Sequence, residues 1–222
     1  MDIKAILKMI NEELPSTTRL VAVSKFHPAE AIKEAYDAGQ RLFGESKAQE
    51  LEEKHKILPE DIEWHFIGHL QTNKVKYIAP YISMIHTVDS YKLLEEINKQ
   101  AAKNNRIIPC LLEIHIAKED SKFGLSINEC KELLKDGKWK NLSNISICGI
   151  MGIATNTDEA DVIEQEFCTL QSLFHNLKSE FFSNDNSFKE LSMGMSDDYP
   201  IAVKYGSTLV RIGSKIFGIR NY

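Results

Sequence analysis

The sequence predicts an α/β fold, a single (β/α)8 (TIM) barrel with an extra helix at its amino terminus. Eight short runs rich in apolar, β-branched and aromatic residues recur along the 222 residues, and each of the first seven is followed by a stretch with helix signals. No linker interrupts this alternation. It implies parallel strands joined by right-handed crossovers, in a closed barrel or an open doubly wound sheet. Eight repeats favour the barrel, as one domain over residues 1–222.

The chain begins with MDIKAILKMINEELP, in which acidic residues interrupt the apolar ones. This pattern predicts an amphipathic helix rather than a signal peptide. The longest helix is expected at 158–182. The eight strands are predicted at 20–25, 41–44, 63–68, 84–88, 109–116, 145–153, 188–193 and 209–212.

Capping residues mark the ends of two other helices. Pro28 stands where a first helical turn starts, and Gly39 stands where a left-handed residue ends a helix. Ser126 and Glu129 have the spacing of a capping box, and Gly137 closes that helix. Both helices fall directly after predicted strands, as the barrel requires.

Composition excludes several classes of protein. The 27 Lys and Arg against 32 Asp and Glu give a net charge of −5, which argues against a generally basic nucleic-acid binder. No apolar run approaches the roughly 20 residues of a membrane span. The cysteines are widely spaced and form no C-x-x-C pair, which argues against a zinc site or a disulfide framework and favours a reduced, cytoplasmic setting. They are Cys110, Cys130, Cys148 and Cys168.

Lys25 closes the apolar run LVAVSK at the carboxyl end of the first predicted strand. Function in such barrels collects at these strand ends. A lysine partly desolvated there has a lowered pKa, and its neutral amine can attack an aldehyde. The alternative is an ordinary solvated lysine at a strand end.

The segment GSTLVRIGSKIFG, residues 206–218, brackets the last strand with two glycine-containing turns. Backbone N–H groups of Gly213 and Ser214, with hydroxyls of Ser207, Thr208 or Ser214, could surround a phosphate. Alternatively, the glycines only turn the chain. Arg211 shares a strand face with Gly213, and a buried arginine needs a partner.

That partner of Arg211 could be a phosphate, a ligand ring nitrogen or a carboxylate such as Glu113 or Glu45. Ser196, in LSMGMSDD, suits a helix N-cap. In WHFIGHLQTNK, His65 and His69 are four residues apart at a strand end, with no third ligand near them in sequence. We therefore expect no metal site.

Seven segments occur together in one order. They are AVSK, FGE, WHFIGHLQTNK, KFGL, GIMGI, LSMGMSDD and VRIGSKIFG, between residues 22 and 218. With them the chain, from about residue 20 to its end, resembles the pyridoxal phosphate homeostasis protein family, whose members look like the amino-terminal barrel of alanine racemase standing alone.

The resemblance implies a site for pyridoxal 5′-phosphate, held as an aldimine on Lys25. Arg211 would face the pyridine nitrogen or the phosphate. Gly213 and Ser214 would bind the phosphate through backbone N–H groups. Further implied residues are Ser192, Ser207 and Thr208 as helpers at the phosphate, and His65 and Met151 as walls of the ring pocket. Ser46 and Lys47 stand where the family usually has Asn-Tyr after FGE, so Ser46 offers a shorter contact.

A positive Arg211 at the pyridine nitrogen would disfavour ring protonation and make the ring a poor electron sink. Alanine racemases take a second base from a further domain of the partner subunit, and no counterpart follows Tyr222 in this sequence. We therefore expect a homeostasis or carrier protein without catalytic turnover, with no catalytic residues, possible transient acceptor enzymes and a monomer favoured over a homodimer. The alternatives are a low-activity amino-acid racemase and a phosphosugar-binding or scaffolding barrel.

Overall fold

The computed structural model describes residues 2–119 and 123–218. The strands are β1 Arg19–Val23, β2 Leu42–Glu45, β3 Glu63–Phe66, β4 Met84–Val88, β5 Ile108–Ile114, β6 Ile145–Gly152, β7 Glu190–Ser192 and β8 Leu209–Ile212. The α-helices are α1 Ile3–Glu13, α2 Ala29–Asp37, α3 Ala48–Ile57, α4 Val75–Ile78, α5 Tyr91–Lys103, α6 Ile127–Asp136, α7 Ala160–Phe181, α8 Tyr199–Lys204 and α9 Ser214–Phe217. Short 3₁₀ helices span Thr72–Lys74 and Lys138–Asn141.

The eight strands are all parallel and form a closed barrel in sequence order. Residues Arg19–Ala22 of β1 pair with Leu209–Ile212 of β8, which closes the sheet. The predicted barrel is therefore confirmed, and the open sheet is excluded. No helix in the described part of the chain is long and apolar enough to cross a membrane.

The core has two layers. Apolar side chains including Val21, Leu111, Met151 and Leu209 fill the barrel interior. A larger set lies between the barrel and its surrounding helices. Because successive side chains of a strand face opposite sides, each strand supplies both layers.

The predicted helices are present. Helix α1 buries Ile3, Leu7 and Ile10 against the barrel. Both hydrogen bonds of the Ser126–Glu129 capping box form at the start of α6. The longest helix is α7.

The first strand is shorter than predicted, because β1 ends at Val23 and not at Lys25. The chain turns at once: the His27 N–H bonds to the Ser24 carbonyl at 3.1 Å, and Phe26 has a φ of +66°. Lys25 therefore lies in a tight turn at the mouth of the barrel rather than on the strand itself.

Candidate functional site

The carboxyl ends of β1, β5, β6, β7 and β8 bring most of the predicted site residues to one end of the barrel, called the mouth here. Lys25 follows β1 and is half-buried, with Ser24 before it fully buried. Arg211 lies on β8, followed by Gly213 at the strand end. Because all strands are parallel, these positions converge although they are far apart in sequence.

Arg211 is 4% exposed and is held inside the barrel by two hydrogen bonds. Its Nη1 donates to Ser192 Oγ at 2.6 Å, and its Nη2 donates to the Gly152 carbonyl at 3.0 Å. Burial lowers its pKa to about 10, while the charges of Asp198 and Glu113 act in the opposite direction. The guanidinium therefore stays charged at neutral pH.

A hydrogen-bonded chain of side chains leads from Arg211 across the barrel interior. Ser192 Oγ lies 3.0 Å from His86 Nδ1, and His86 Nε2 lies 2.9 Å from His65 Nδ1. Burial lowers the pKa of both histidines, to about 3 for His65. Both rings are therefore neutral, and each offers one donor and one acceptor. The chain fixes the position of Ser192 and, through it, the guanidinium.

Ser192 and His65 are therefore linked to Arg211 by hydrogen bonds. Direct contact of Ser192, His65 or buried Met151 with a ligand stays a prediction. His86 is absent from the sequence-based set. The sequence gives one indication of its role, which is that Met84 and His86 alternate on the inward face of β4. This alternation shows which face of the strand carries His86, but not which residues His86 contacts.

The turn after β8 gathers donors at one point. The Gly213 N–H donates to Ser196 Oγ at 3.3 Å, and Ser214 Oγ donates to the same atom at 3.0 Å. A Cβ on Gly213 would lie 3.0 Å from the Val23 carbonyl oxygen, so glycine permits this close approach to β1. The N-cap of α8 is Asp198, which leaves the Ser196 hydroxyl at this turn.

Ser207 and Thr208 are a correction to the predicted phosphate cradle, because they lie at the amino end of β8. The Ser207 hydroxyl bonds to backbone carbonyls, including that of Met193 at 2.7 Å, and Thr208 donates to Glu190 Oε2 at 2.7 Å. At about 3.3 Å per residue, a strand separates Thr208 from Gly213 by about 16 Å. They cannot serve a phosphate bound at the mouth.

Glu113 lies near the end of β5. Its side chain is buried, and its Oε2 has no hydrogen-bond partner among the residues that the structure describes. Burial raises its pKa to about 7, and the charge of Asp89 adds to this while Arg211 opposes it. It lines a cavity of about 240 Å³ with Thr87 and Ile153. Glu45, the other carboxylate proposed for Arg211, is instead bonded to Lys54 at 2.7 Å.

The remaining predicted positions lie around the rim. A Cβ on Gly68 would lie 2.4 Å from the Ser46 carbonyl oxygen, so the loops after β2 and β3 pack closely at this serine. His69 Nδ1 lies 3.5 Å from Asp89 Oδ2, whereas His65 bonds inside the barrel. Lys122 of the KFGL motif lies outside the described residues.

Comparison with known proteins identifies the family of this chain. The family model described as "Alanine racemase, N-terminal domain" matches residues 2–221. The pyridoxal phosphate homeostasis protein of Pasteurella multocida is 42% identical over 212 residues, 93% of this chain and 88% of the relative. That of Escherichia coli K12 is 38% identical over 94% of this chain and 88% of the relative. This chain belongs to the pyridoxal phosphate homeostasis protein family.

Solved structures show the same fold in the family. PipY of Synechococcus elongatus, described as having PLP bound, superposes with a TM-score of 0.88 at 34% identity, covering 97% of this chain and 100% of PipY. Alanine racemase of Bartonella henselae gives a TM-score of 0.73 at 18% identity, covering 99% of this chain and 59% of the racemase. The racemase likeness extends to the barrel fold alone.

The mouth fits the family's cofactor. The Gly213 amide with the Ser196 and Ser214 hydroxyls provides hydrogen-bonding groups for a phosphate, and glycine at position 213 avoids a tight 3.0 Å contact between a Cβ and the Val23 carbonyl oxygen. Glu113 Oε2, which has no partner in the described part of the chain, can accept a hydrogen bond from a ligand. These groups lie at the same end of the barrel as the Lys25 turn.

Proposed function

We propose that this protein binds pyridoxal 5′-phosphate at the mouth of the barrel, holds it covalently through Lys25 and takes part in PLP homeostasis without catalytic turnover. The observation that carries the proposal is the convergence of the Lys25 turn, buried Arg211 and the Gly213–Ser214 turn at one end. Membership of the family and the PLP-bound PipY structure support it.

Different residues would bind different parts of the cofactor. Pyridoxal phosphate supplies an aldehyde, which bonds covalently to a primary amine. Lys25 provides that amine, and the Gly213 and Ser214 amides with the Ser196 hydroxyl bind the phosphate. Arg211 provides a fixed positive charge beside the ring, held in place by Ser192 and Gly152.

The same arrangement supports the absence of turnover that we propose. A guanidinium that remains charged opposes protonation of a neighbouring ring nitrogen, and an unprotonated ring withdraws electrons poorly. His65 and His86 have strongly lowered pKa values and are hydrogen-bonded to each other, so they are poor proton acceptors at neutral pH. Retention and release of the cofactor, with transfer to acceptor enzymes in the cytoplasm, is the function that this site suits. We favour a monomer.

The test is an absorption spectrum of the purified protein with added cofactor, before and after borohydride, followed by mass mapping. We expect a visible band that borohydride removes and a pyridoxyl mass on the peptide containing Lys25. Lys25→Ala should abolish labelling, whereas Lys76→Ala, at an exposed lysine, should leave it unchanged. A wild-type protein that stays colourless and unlabelled contradicts the proposal.

Absence of turnover needs its own measurement. Holo-protein incubated with L-alanine in heavy water should show no deuterium at Cα above the level given by free pyridoxal phosphate. Exchange well above that level would establish the racemase alternative instead.

A further inference from the structure

A buried ion cluster lies behind the Lys25 turn, on the outer side of the barrel wall. Lys54 of α3 is 8% exposed at its side chain, and Glu45 of β2 is completely buried. The Lys54 ammonium donates to Glu45 Oε1 at 2.7 Å, to Glu50 Oε1 at 2.7 Å and to the Ser24 carbonyl at 2.8 Å. An ammonium has three donors, and each of them is used here.

The cluster holds both residues that flank Lys25. Ser24 contributes its carbonyl to Lys54, and its hydroxyl donates to Glu45 Oε1 at 2.6 Å. The Phe26 N–H donates to Glu50 Oε1 at 2.6 Å. The backbone of the turn is therefore tied to helix α3 immediately before and immediately after the lysine.

Phe26 shows why such ties are needed. Its φ of +66° lies in the left-handed region, which is unfavourable for a residue with a Cβ. Such a conformation persists only where the surroundings impose it. Glu50 accepts the N–H of Phe26, and Lys47 Nζ lies 4.6 Å from the centre of its ring.

We propose that Lys54 is the positioning residue for Lys25: through Ser24 and Glu50 it holds the turn in the conformation that presents the cofactor-binding amine at the mouth. The proposal rests on the proposed function, since it assumes that Lys25 bonds to the cofactor aldehyde. Burying a charge this completely is costly unless its hydrogen bonds are satisfied. One bond of Lys54 goes to the turn at Ser24, and another goes to Glu50, which holds Phe26.

The test separates positioning of Lys25 from general damage to the site. Two probes are used: pyridoxal 5′-phosphate, which can bond to Lys25, and pyridoxine 5′-phosphate, whose alcohol cannot. Lys54→Met keeps the apolar stem and removes the ammonium. We expect a dissociation constant at least about tenfold higher for pyridoxal phosphate, the effect of losing one charge-assisted bond, with that for pyridoxine phosphate unchanged.

Lys56→Met is the matched control, because Lys56 lies on the same helix, pairs with Glu52 at 2.9 Å and is 64% exposed. It should change neither constant. If Lys54→Met does not fold, Glu50→Ala removes the Phe26 tie and leaves Lys54 paired with Glu45, so the same split between the probes is expected.

Equal weakening of both probes, or no change in either, overturns the positioning role. Failure of wild-type protein to bind pyridoxal phosphate overturns the proposed function itself, whatever the variants do. Lys54→Arg tests specificity: because a planar guanidinium cannot reproduce the three directions of the ammonium bonds, it should restore the pyridoxal phosphate constant only in part.

Discussion

Two buried carboxylates, one at each end of the barrel, differ in their hydrogen bonds. At the amino end, Glu190 accepts from Arg19 at 2.7 Å through one oxygen and from Thr208 at 2.7 Å through the other. At the mouth, Glu113 is about as deeply buried, yet its Oε2 has no partner within residues 2–119 and 123–218. Both carboxylates lie at strand ends inside the same barrel, and only the partners supplied to them differ.

We interpret this difference as a division between a carboxylate that stabilises the fold, Glu190, and a carboxylate that remains able to bind a ligand, Glu113. A buried polar group without a hydrogen bond costs folding free energy, so its presence in a native protein needs an explanation. At the amino end, both oxygens of Glu190 are hydrogen-bonded within the protein, which stabilises the barrel. At the mouth, Glu113 Oε2 can still accept a hydrogen bond from a ligand, as expected at the end of the barrel where ligands bind.

The largest expected effect concerns the pH dependence of stability at Glu113. Its pKa is raised to about 7 in the folded protein, so between pH 4.5 and 7 the folded state retains a proton that the unfolded state loses. The free energy of unfolding should therefore fall as pH rises through this window, by up to about 3 kcal/mol. Urea titrations of the unliganded protein at a series of pH values measure it.

Glu113→Gln should remove the pH-dependent contribution of Glu113 to the free energy of unfolding. The variant should then be more stable than wild type at pH 8. At pH 4 the two should differ little, since Glu113 is then protonated in both states. Parallel curves for wild type and variant across the whole range would show that Glu113 titrates normally and that the mouth is not strained by its burial.

The next effect compares two arginines, one at each end. Arg211→Ala should raise the dissociation constant of pyridoxal phosphate by about 10- to 100-fold, the range for hydrogen bonds to a charged group. Arg19→Ala should leave binding unchanged and lower the free energy of unfolding, because Glu190 loses a partner. Fluorescence titration and urea unfolding measure the two quantities. Unchanged affinity in Arg211→Ala would refute its role beside the ring.

The smallest effect compares two serines. Ser196→Ala should weaken binding of pyridoxine 5′-phosphate by about tenfold, the low end of the range for a hydrogen bond to a charged group, with stability nearly unchanged. Ser207→Ala should leave that affinity unchanged and lower the free energy of unfolding by about 1 kcal/mol, because its hydroxyl bonds to carbonyls of the barrel. The reverse result would place the phosphate at the other end of β8.

The sequence predicts most of this fold because its information is local. All eight strands appear where apolar runs were found, and the Ser126–Glu129 capping box forms as its spacing indicates. The error at Ser207 and Thr208 has a clear cause. Nearness to Gly213 in sequence suggested nearness in space, whereas an extended strand carries these residues to the opposite end.

The polar networks were less accessible to sequence reasoning. His86 and Lys54 act through partners from other strands and helices, and those pairings depend on barrel register. Lysine on an amphipathic helix normally extends into solvent. Nothing in the α3 sequence distinguishes buried Lys54 from exposed Lys56, which stands two residues later.

Because β8 closes the barrel against β1, the order of synthesis determines when the mouth is complete. Lys25 leaves the exit tunnel long before Gly213 is synthesised, and the mouth is assembled only when these two strands pair. A nascent chain therefore has the amine but no completed pocket, so cofactor loading follows synthesis. Because a ligand that binds only the closed barrel stabilises it by mass action, the free energy of unfolding of the finished protein should rise with the concentration of the cofactor.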